Sequence, residues 1–277
     1  MKTLVVLLFT TLFAFVAVAQ EQADKINVPL TDPARAIFLK VGLLSGSITV
    51  KGSSIKEVIV EAKIRKTDEG EEDEERSSKK SRAGLKLIQN VSTGLTVEED
   101  DNLVTVGTRN AGGSRTVDLT IQVPANCSMK LTTVNDGNIV VDDITGDLEI
   151  SNTNGEVDLN RISGSAVAHA LNGHVKVTFS KVNPEKSMSF SSLNGDIDVA
   201  FPPDIKATMN LKSEQGEIYT DFDIAMEKTS TKVEDNTKGK GKFRVTLEKG
   251  MKGKVNGGGS EMQFKNFNGD IYIRKGK

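Results

Sequence analysis

From residue 137 onward, apolar and polar residues alternate within nine-residue units that each begin with glycine. The units read GNIVVDDIT, GDLEISNTN, GEVDLNRIS, GSAVAHALN and GHVKVTFSK, and their leading residues are Gly137, Gly146, Gly155, Gly164 and Gly173. In most units the residues two and four positions after the glycine are aliphatic, and their neighbours are polar. Because successive side chains of a strand point to opposite faces, each unit predicts a short strand with one buried row. The fourth unit turns Ala166 and Ala168 inward and Val167 outward, which predicts a narrower or reversed layer.

The glycine-led pattern continues at wider intervals at Gly195, Gly216 and Gly269, which predicts insertions between these later repeats. The residue before each glycine defines two kinds of corner. The first kind has Asp136, Asn154, Asn172, Asn194, Gln215 or Asn268, and the second kind has Thr145 or Ser163. The true period is therefore two units, with two strands and two turns. We assign structural turn positions to the leading glycines and to Asn154, Asn172, Asn194 and Asn268.

Two all-β architectures fit this period. The first is a β-solenoid-like stack of short glycine-led strands, in which successive coils lie ~4.8 Å apart. The second is an antiparallel β-meander or sandwich, because Asn-Gly is strongly favoured in tight hairpin turns. We predict the solenoid, since its like corners stack and allow the Asn side chains to form amide ladders.

The same alternation occurs before the repeats, at residues 38–52, 56–64, 102–108 and 115–124, whereas helix patterns are nearly absent. Residues 20–277 are therefore predicted to form one β-strand-repeat domain, with its clearest repeats at 137–222 and 262–275. Residues 66–82 carry charged and small polar side chains and no apolar one. This composition predicts a flexible, solvated loop within the domain.

The N-terminus predicts export. A basic start at Lys2 precedes an apolar run from Leu4 to Ala19, which ends in the small-x-small pattern Ala-Val-Ala. This pattern is typical of a secretory signal peptide at residues 1–19. A retained membrane anchor is the alternative, although the run is shorter than the ~20 apolar residues that span a bilayer. No transmembrane segment is predicted after signal cleavage, and periplasm, cell surface and medium all remain open as destinations.

The composition limits the partners and the reactive sites that the chain can have. With 36 basic and 38 acidic residues, the chain lacks the positive charge that nucleic acid requires. Its one cysteine, Cys127, lies in a strand-like segment and is interpreted as structural. The histidines, His169 and His174, fit no metal-ligand motif, so we predict no metal, no cofactor and no catalytic residue. Aspartates are abundant on the repeats, at Asp142, Asp143, Asp147, Asp158, Asp196 and Asp198, but regular spacing on a solvent-facing row explains them equally well.

Several segments in a fixed order carry a family resemblance. They are SGSITVKG, KEVIVEAK and VDLTIQVPANCSMKLTTVNDGNIVV before the repeats, the NGDIDV unit, and the closing GGGSEMQFKNFNGDIYIRKG. In this order the chain resembles a bacterial family of exported β-strand-repeat domains of unknown function that are described as putative adhesins. The resemblance covers most of the mature chain, implies a β-solenoid-like exported or surface domain, and brings no catalytic residues with it.

The sequence therefore predicts a non-enzymatic envelope or surface protein, adhesin-like, whose stacked strands present an elongated binding or scaffold face. An envelope protein, a glycan and extracellular matrix are the candidate partners. A carbohydrate-active β-helix enzyme is one alternative function. A periplasmic scaffold or an accessory of an envelope stress sensor is the other.

Overall fold

The protein is described by a computed structural model that covers residues 23–65, 93–109, 116–227 and 250–276. The predicted signal peptide at 1–19 and the predicted charged loop at 66–82 lie outside these residues. The described chain contains strands and turns and no helix, which confirms the all-β class.

Twenty strands follow one another along the described chain. They are β1 (Ala23–Pro29), β2 (Ile37–Ser45), β3 (Ile48–Ser53), β4 (Glu57–Ile64), β5 (Leu95–Asp100), β6 (Leu103–Thr108), β7 (Val117–Pro124), β8 (Cys127–Asn135), β9 (Ile139–Asp142), β10 (Thr145–Asn154), β11 (Val157–Asn172), β12 (Val175–Val182), β13 (Met188–Asn194), β14 (Ile197–Phe201), β15 (Ala207–Ser213), β16 (Ile218–Thr220), β17 (Ile224–Met226), β18 (Met251–Val255), β19 (Ser260–Asn268) and β20 (Ile271–Lys275). The segments that the sequence predicted as strands before the repeats correspond to β2, β3, β4, β6 and β7.

The repeats form a β-solenoid, and the meander alternative is wrong for them. β10 pairs with β11 in parallel, with Thr145 opposite Ser163, and Val157 of β11 lies opposite both Ile139 and Val175. Each partner is two nine-residue units away in sequence, as a coil of two strands requires. We call the layer through β6, β2, β8, β10, the second half of β11, β13, β19 and β15 the front sheet. The back sheet runs through β7, β3, β9, the first half of β11, β12, β14, β20 and β16.

The spatial order of the coils differs from their order in sequence at both ends of the stack. The β2–β3 coil lies between the β6–β7 coil and the β8–β9 coil. Likewise the β19–β20 coil lies between the β13–β14 coil and the β15–β16 coil. Antiparallel strands flank the stack: β4, β1 and β5 at one end, β18 and β17 at the other.

The core is a continuous row of inward side chains from both sheets, mostly Val, Ile and Leu. The fourth repeat is not reversed, because Ala166 and Ala168 are buried and Val167 is exposed. Ala168 lies directly opposite Phe190 of the next coil, so the smallest inward residue adjoins one of the largest. Phe190 belongs to an aromatic cluster with Phe179, Phe201 and Phe264.

Cys127 lies in this core and is fully buried. Burial raises the pKa of its thiol to about 12, because the thiolate would lose its hydration. Since the thiolate is the nucleophile, we expect native protein to resist labelling by a thiol-reactive disulfide reagent at neutral pH and to react fully after denaturation. Fast stoichiometric labelling of the folded protein would contradict the structural interpretation of this residue.

Candidate functional surfaces

The first corner carries a ladder of asparagine amides on five successive coils. Asn154 Nδ2 donates to Asn135 Oδ1 at 2.9 Å, and Asn172 Nδ2 donates to Asn154 Oδ1 at 2.8 Å. Asn194 Nδ2 donates to Asn172 Oδ1 at 2.8 Å, and Asn268 Nδ2 donates to Asn194 Oδ1 at 3.3 Å. The ladder crosses the boundary at which the C-terminal coil is inserted, so it follows the spatial order of the coils.

The first step of the ladder uses Asn135, whereas the sequence pattern had placed Asp136 at this corner. Asp136 instead has a φ of 57° and adds one residue to the turn before Gly137. The second kind of corner has positive φ at its glycine Gly164 (143°) and also earlier in the turn. Asp143 (59°) and Arg161 (55°), two residues ahead of Thr145 and Ser163, are the further positions with positive φ.

The leading glycines stack on one another at close range. A Cβ on Gly173 would lie 2.1 Å from the carbonyl oxygen of Gly155, and one on Gly164 would lie 2.1 Å from that of Gly146. Equivalent short approaches occur at the other assigned turns, Gly137, Gly146, Gly155, Gly195, Gly216 and Gly269. The glycines and the ladder therefore serve the backbone. The faces between the corners are the candidate binding surfaces of the described residues.

On the front sheet, one outward column beside the amide ladder is mostly apolar. The aligned positions on six successive coils are Leu44, Val134, Thr153, Leu171, Leu193 and Phe267. Leu44 is 57% exposed and Phe267 is 44% exposed. Six coils at ~4.8 Å give the column a length of about 24 Å. We call this set the apolar column.

On the back sheet, the last two coils bring together the two tyrosines of the chain. Tyr219 of β16 lies opposite Tyr272 of β20, and their rings stack with centroids 5.2 Å apart and planes 10° from parallel. The guanidinium of Arg274 lies 4.9 Å from the Tyr272 ring centroid, and its Nε donates to Asp198 Oδ1 at 2.8 Å. We call the two tyrosines with Arg274 and their adjoining carboxylates the tyrosine patch.

Carboxylates surround both phenol groups in the tyrosine patch. Tyr219 donates its hydroxyl proton to Glu217 Oε2 at 2.5 Å, and Tyr272 donates to Asp270 Oδ2 at 3.0 Å. These hydrogen bonds, together with the negative charges, raise the pKa of Tyr219 to about 12 and raise the pKa of Tyr272. Asp270 also accepts the backbone N–H of Glu217, so its carboxylate joins the two coils.

Most aspartates considered as enzyme candidates have structural partners. Arg161 donates to Asp143 at 2.6 Å, a contact that lowers the pKa of Asp143, and it also reaches Asp142 at 3.4 Å. Ser165 donates to Asp147 Oδ1 at 2.6 Å, and Asp196 Oδ1 accepts the backbone N–H of Asp270 at 2.9 Å.

Asp158 is different from these aspartates, because burial raises its pKa and its Oδ1 atom is buried without a hydrogen-bond partner. The histidines are not brought together. His169 Nδ1 lies 2.8 Å from the Ser191 hydroxyl, and His174 Nδ1 accepts the backbone N–H of Asp196. Within the described ranges, three or more His, Cys, Asp or Glu side chains nowhere converge in a group able to hold a metal ion. Across those same ranges, no helix has the length and apolar character to cross a membrane.

A family model described as Toastrack DUF4097 matches residues 22–256. Among solved structures, the chain is similar to a "putative cell adhesion protein" of Clostridium sporogenes ATCC 15579, with 11% identity, a TM-score of 0.43, and 92% of this chain and 100% of that chain covered. It is also similar to a "putative adhesin" of Bacteroides fragilis NCTC 9343, with 10% identity, a TM-score of 0.37, and 92% and 98% of the two chains covered. No curated protein matches the chain.

Proposed function

The chain belongs to the Toastrack DUF4097 family, and we propose that it is a non-enzymatic exported protein of the cell envelope or surface that binds a partner along its front sheet. In this proposal residues 1–19 are a cleaved signal peptide and residues 20–277 form a single domain. The protein then acts as an adhesin-like scaffold in the periplasm, on the surface or in the medium.

The apolar column carries this proposal. Single exposed apolar residues are common on protein surfaces, but an aligned series on successive coils forms a continuous strip. The coils beneath the strip are fixed by parallel pairing and by the amide ladder. Binding to the strip therefore loses little backbone conformational entropy. Aliphatic and phenyl side chains with a neutral amide border favour an apolar protein surface as the partner of this strip.

The engaged carboxylates weigh against a polysaccharide-cleaving enzyme. Glycoside hydrolysis needs one acid and one base at a defined separation, each free to exchange protons. Asp143, Asp147 and Asp196 are instead held by Arg161, Ser165 and a backbone amide. Asp158, whose pKa is raised, is the residue on which an enzymatic alternative would have to be centred.

The test is retention of envelope protein by immobilised residues 20–277. We expect the wild-type chain to retain a protein fraction that the Leu193→Thr/Phe267→Thr double variant loses by about tenfold or more, because the strip is interrupted at two adjacent coils. Val167→Thr is the matched control, since Val167 is exposed on the same sheet but lies outside the apolar column. It should behave as wild type.

Two results would refute the proposal. The first is equal retention by wild type and the double variant at unchanged melting temperature, which would remove the front sheet as the binding face. The second is release of new products when the protein is incubated with acidic polysaccharides and calcium and the products are read by mass spectrometry. If Asp158→Asn then released no products, the enzymatic alternative centred on Asp158 would be supported.

A further inference from the structure

The tyrosine patch has a ring face that no described strand covers. The two rings stack along the axis of the solenoid, so that each coil contributes one layer. β16 is paired with β20 on one edge, and no described strand pairs with its other edge. Tyr219 is correspondingly 46% exposed. A flat apolar ring from a ligand can therefore continue the stack on Tyr219.

Hydrogen-bonding groups lie at the phenol ends of the two stacked rings. The Glu217 and Asp270 carboxylates each accept one tyrosine hydroxyl and keep further lone pairs for other donors. Each phenol oxygen can also accept a hydrogen bond from another donor, since its own hydrogen is donated to the carboxylate. The Arg274 side chain is 53% exposed and supplies N–H donors at the other end of the patch.

The combination of a flat apolar face and an edge of hydroxyl-binding groups matches the shape of a hexopyranose ring. One face of such a sugar presents C–H groups, and its rim presents hydroxyls that donate to carboxylates. The charge of the patch selects among sugars. Five carboxylates act on the tyrosines or on Arg274, and Lys275, whose backbone N–H donates to one of them, Asp221, is the second nearby cation. An acidic polysaccharide would therefore be repelled by the carboxylates, which are Glu217, Asp196, Asp198, Asp221 and Asp270.

We propose that the tyrosine patch is a binding site for a neutral glycan, with one hexose ring stacked on Tyr219 and its hydroxyls bonded to the Glu217 carboxylate. This site lies on the back sheet, on the opposite side of the solenoid from the apolar column. It rests on the proposed function only for the exported location in which such glycans occur.

The protein itself provides the readout, because it contains no Trp and both of its tyrosines lie in the patch. Tyrosine emission during titration of residues 20–277 with cello-, malto- and chito-oligosaccharides should change saturably with at least one of them. Isothermal titration calorimetry then measures the affinity of each variant for that oligosaccharide. We expect Tyr219→Leu, which keeps an apolar side chain but removes the flat ring, to weaken binding by about tenfold or more.

Two further variants test whether the ring or the hydroxyl of Tyr219 binds the sugar, and whether the front sheet contributes. Tyr219→Phe keeps the ring and should bind within about threefold of wild type, because one hydrogen-bonding group is worth little in water. Leu193→Thr/Phe267→Thr should bind the oligosaccharide as wild type does, whatever it does to retention of envelope protein. Polygalacturonate and a lysine peptide are titrated in parallel as charged control ligands. The proposal is overturned if none of the oligosaccharides gives saturation, if Tyr219→Leu binds as well as wild type, or if only a charged control ligand binds.

Discussion

Gly155→Ala is expected to lower the free energy of unfolding by about 3 kcal/mol or more. Gly155 has a φ of 153°, which residues with a side chain rarely adopt, and its added Cβ would lie 2.1 Å from the carbonyl oxygen of Gly137. The conflict is with backbone, so no side-chain rotation relieves it. The backbone cannot move away easily, because the Gly155 carbonyl oxygen is itself only 2.1 Å from where a Cβ on Gly173 of the next coil would lie. Urea denaturation followed by far-ultraviolet circular dichroism measures the loss.

Gly42→Ala is the matched control for this substitution. Gly42 also lies in a strand of the solenoid, but a Cβ there would meet no atom within 4 Å. Because alanine restricts the unfolded chain more than glycine, we expect unchanged stability or a gain of about 0.5 kcal/mol. Similar losses at both positions would mean that glycine flexibility, rather than the close stacking of corners, is what the fold requires.

The central coils could be predicted from the sequence because neighbouring coils are also neighbours in sequence. Glycine-led units of constant length repeat without a gap from Gly137 to Gly173, and each carries its own alternation of buried and exposed positions. Parallel stacking then requires only that like corners lie over one another, which the register of Val157 with Ile139 and Val175 confirms. The family resemblance drawn from the ordered segments is confirmed as well.

The ends of the stack could not be predicted in the same way. The β2–β3 and β19–β20 coils have the same alternation as their neighbours, so their patterns fit equally well at any level of the stack. Their position between other coils is decided by packing across large sequence separations, such as Phe190 opposite Phe264. The extra residue at Asp136 could not be predicted either. Asp136-Gly137 resembles the Asn-Gly corners in sequence, but Asn135 makes the ladder contact.

Both binding surfaces also depend on long-range register. The apolar column exists because positions from six coils align, and one of those coils comes from the C-terminal insertion. The tyrosine patch joins residues that are far apart in the chain, yet a sequence signal for it was present. Tyr219 and Tyr272 occupy the same place in the repeats GEIYT and GDIYI, three positions after the glycine. Recognising the patch required knowing that these two repeats are neighbours in space.

The aromatic cluster provides the second large effect, because it fills the core where the inserted coil meets the repeats. Phe264 of β19 is fully buried, with its ring centroid 5.1 Å from that of Phe190 and 6.3 Å from that of Phe201. Phe264→Ala is expected to cost about 3–5 kcal/mol, since it removes a buried ring and leaves a cavity between fixed coils. Thermal and urea unfolding give the value.

Phe267→Ala tests the same substitution on the same strand but on the opposite face. Phe267 is 44% exposed, so its loss should cost less than about 1 kcal/mol. If the stack were stable without the inserted coil, Phe264→Ala would destabilise the protein no more than Phe267→Ala. If the coil is an integral layer, as its pairing with β13 and β15 requires, the two variants will differ by several kcal/mol. A large difference would therefore place the C-terminal segment inside the cooperative core, and not at its edge.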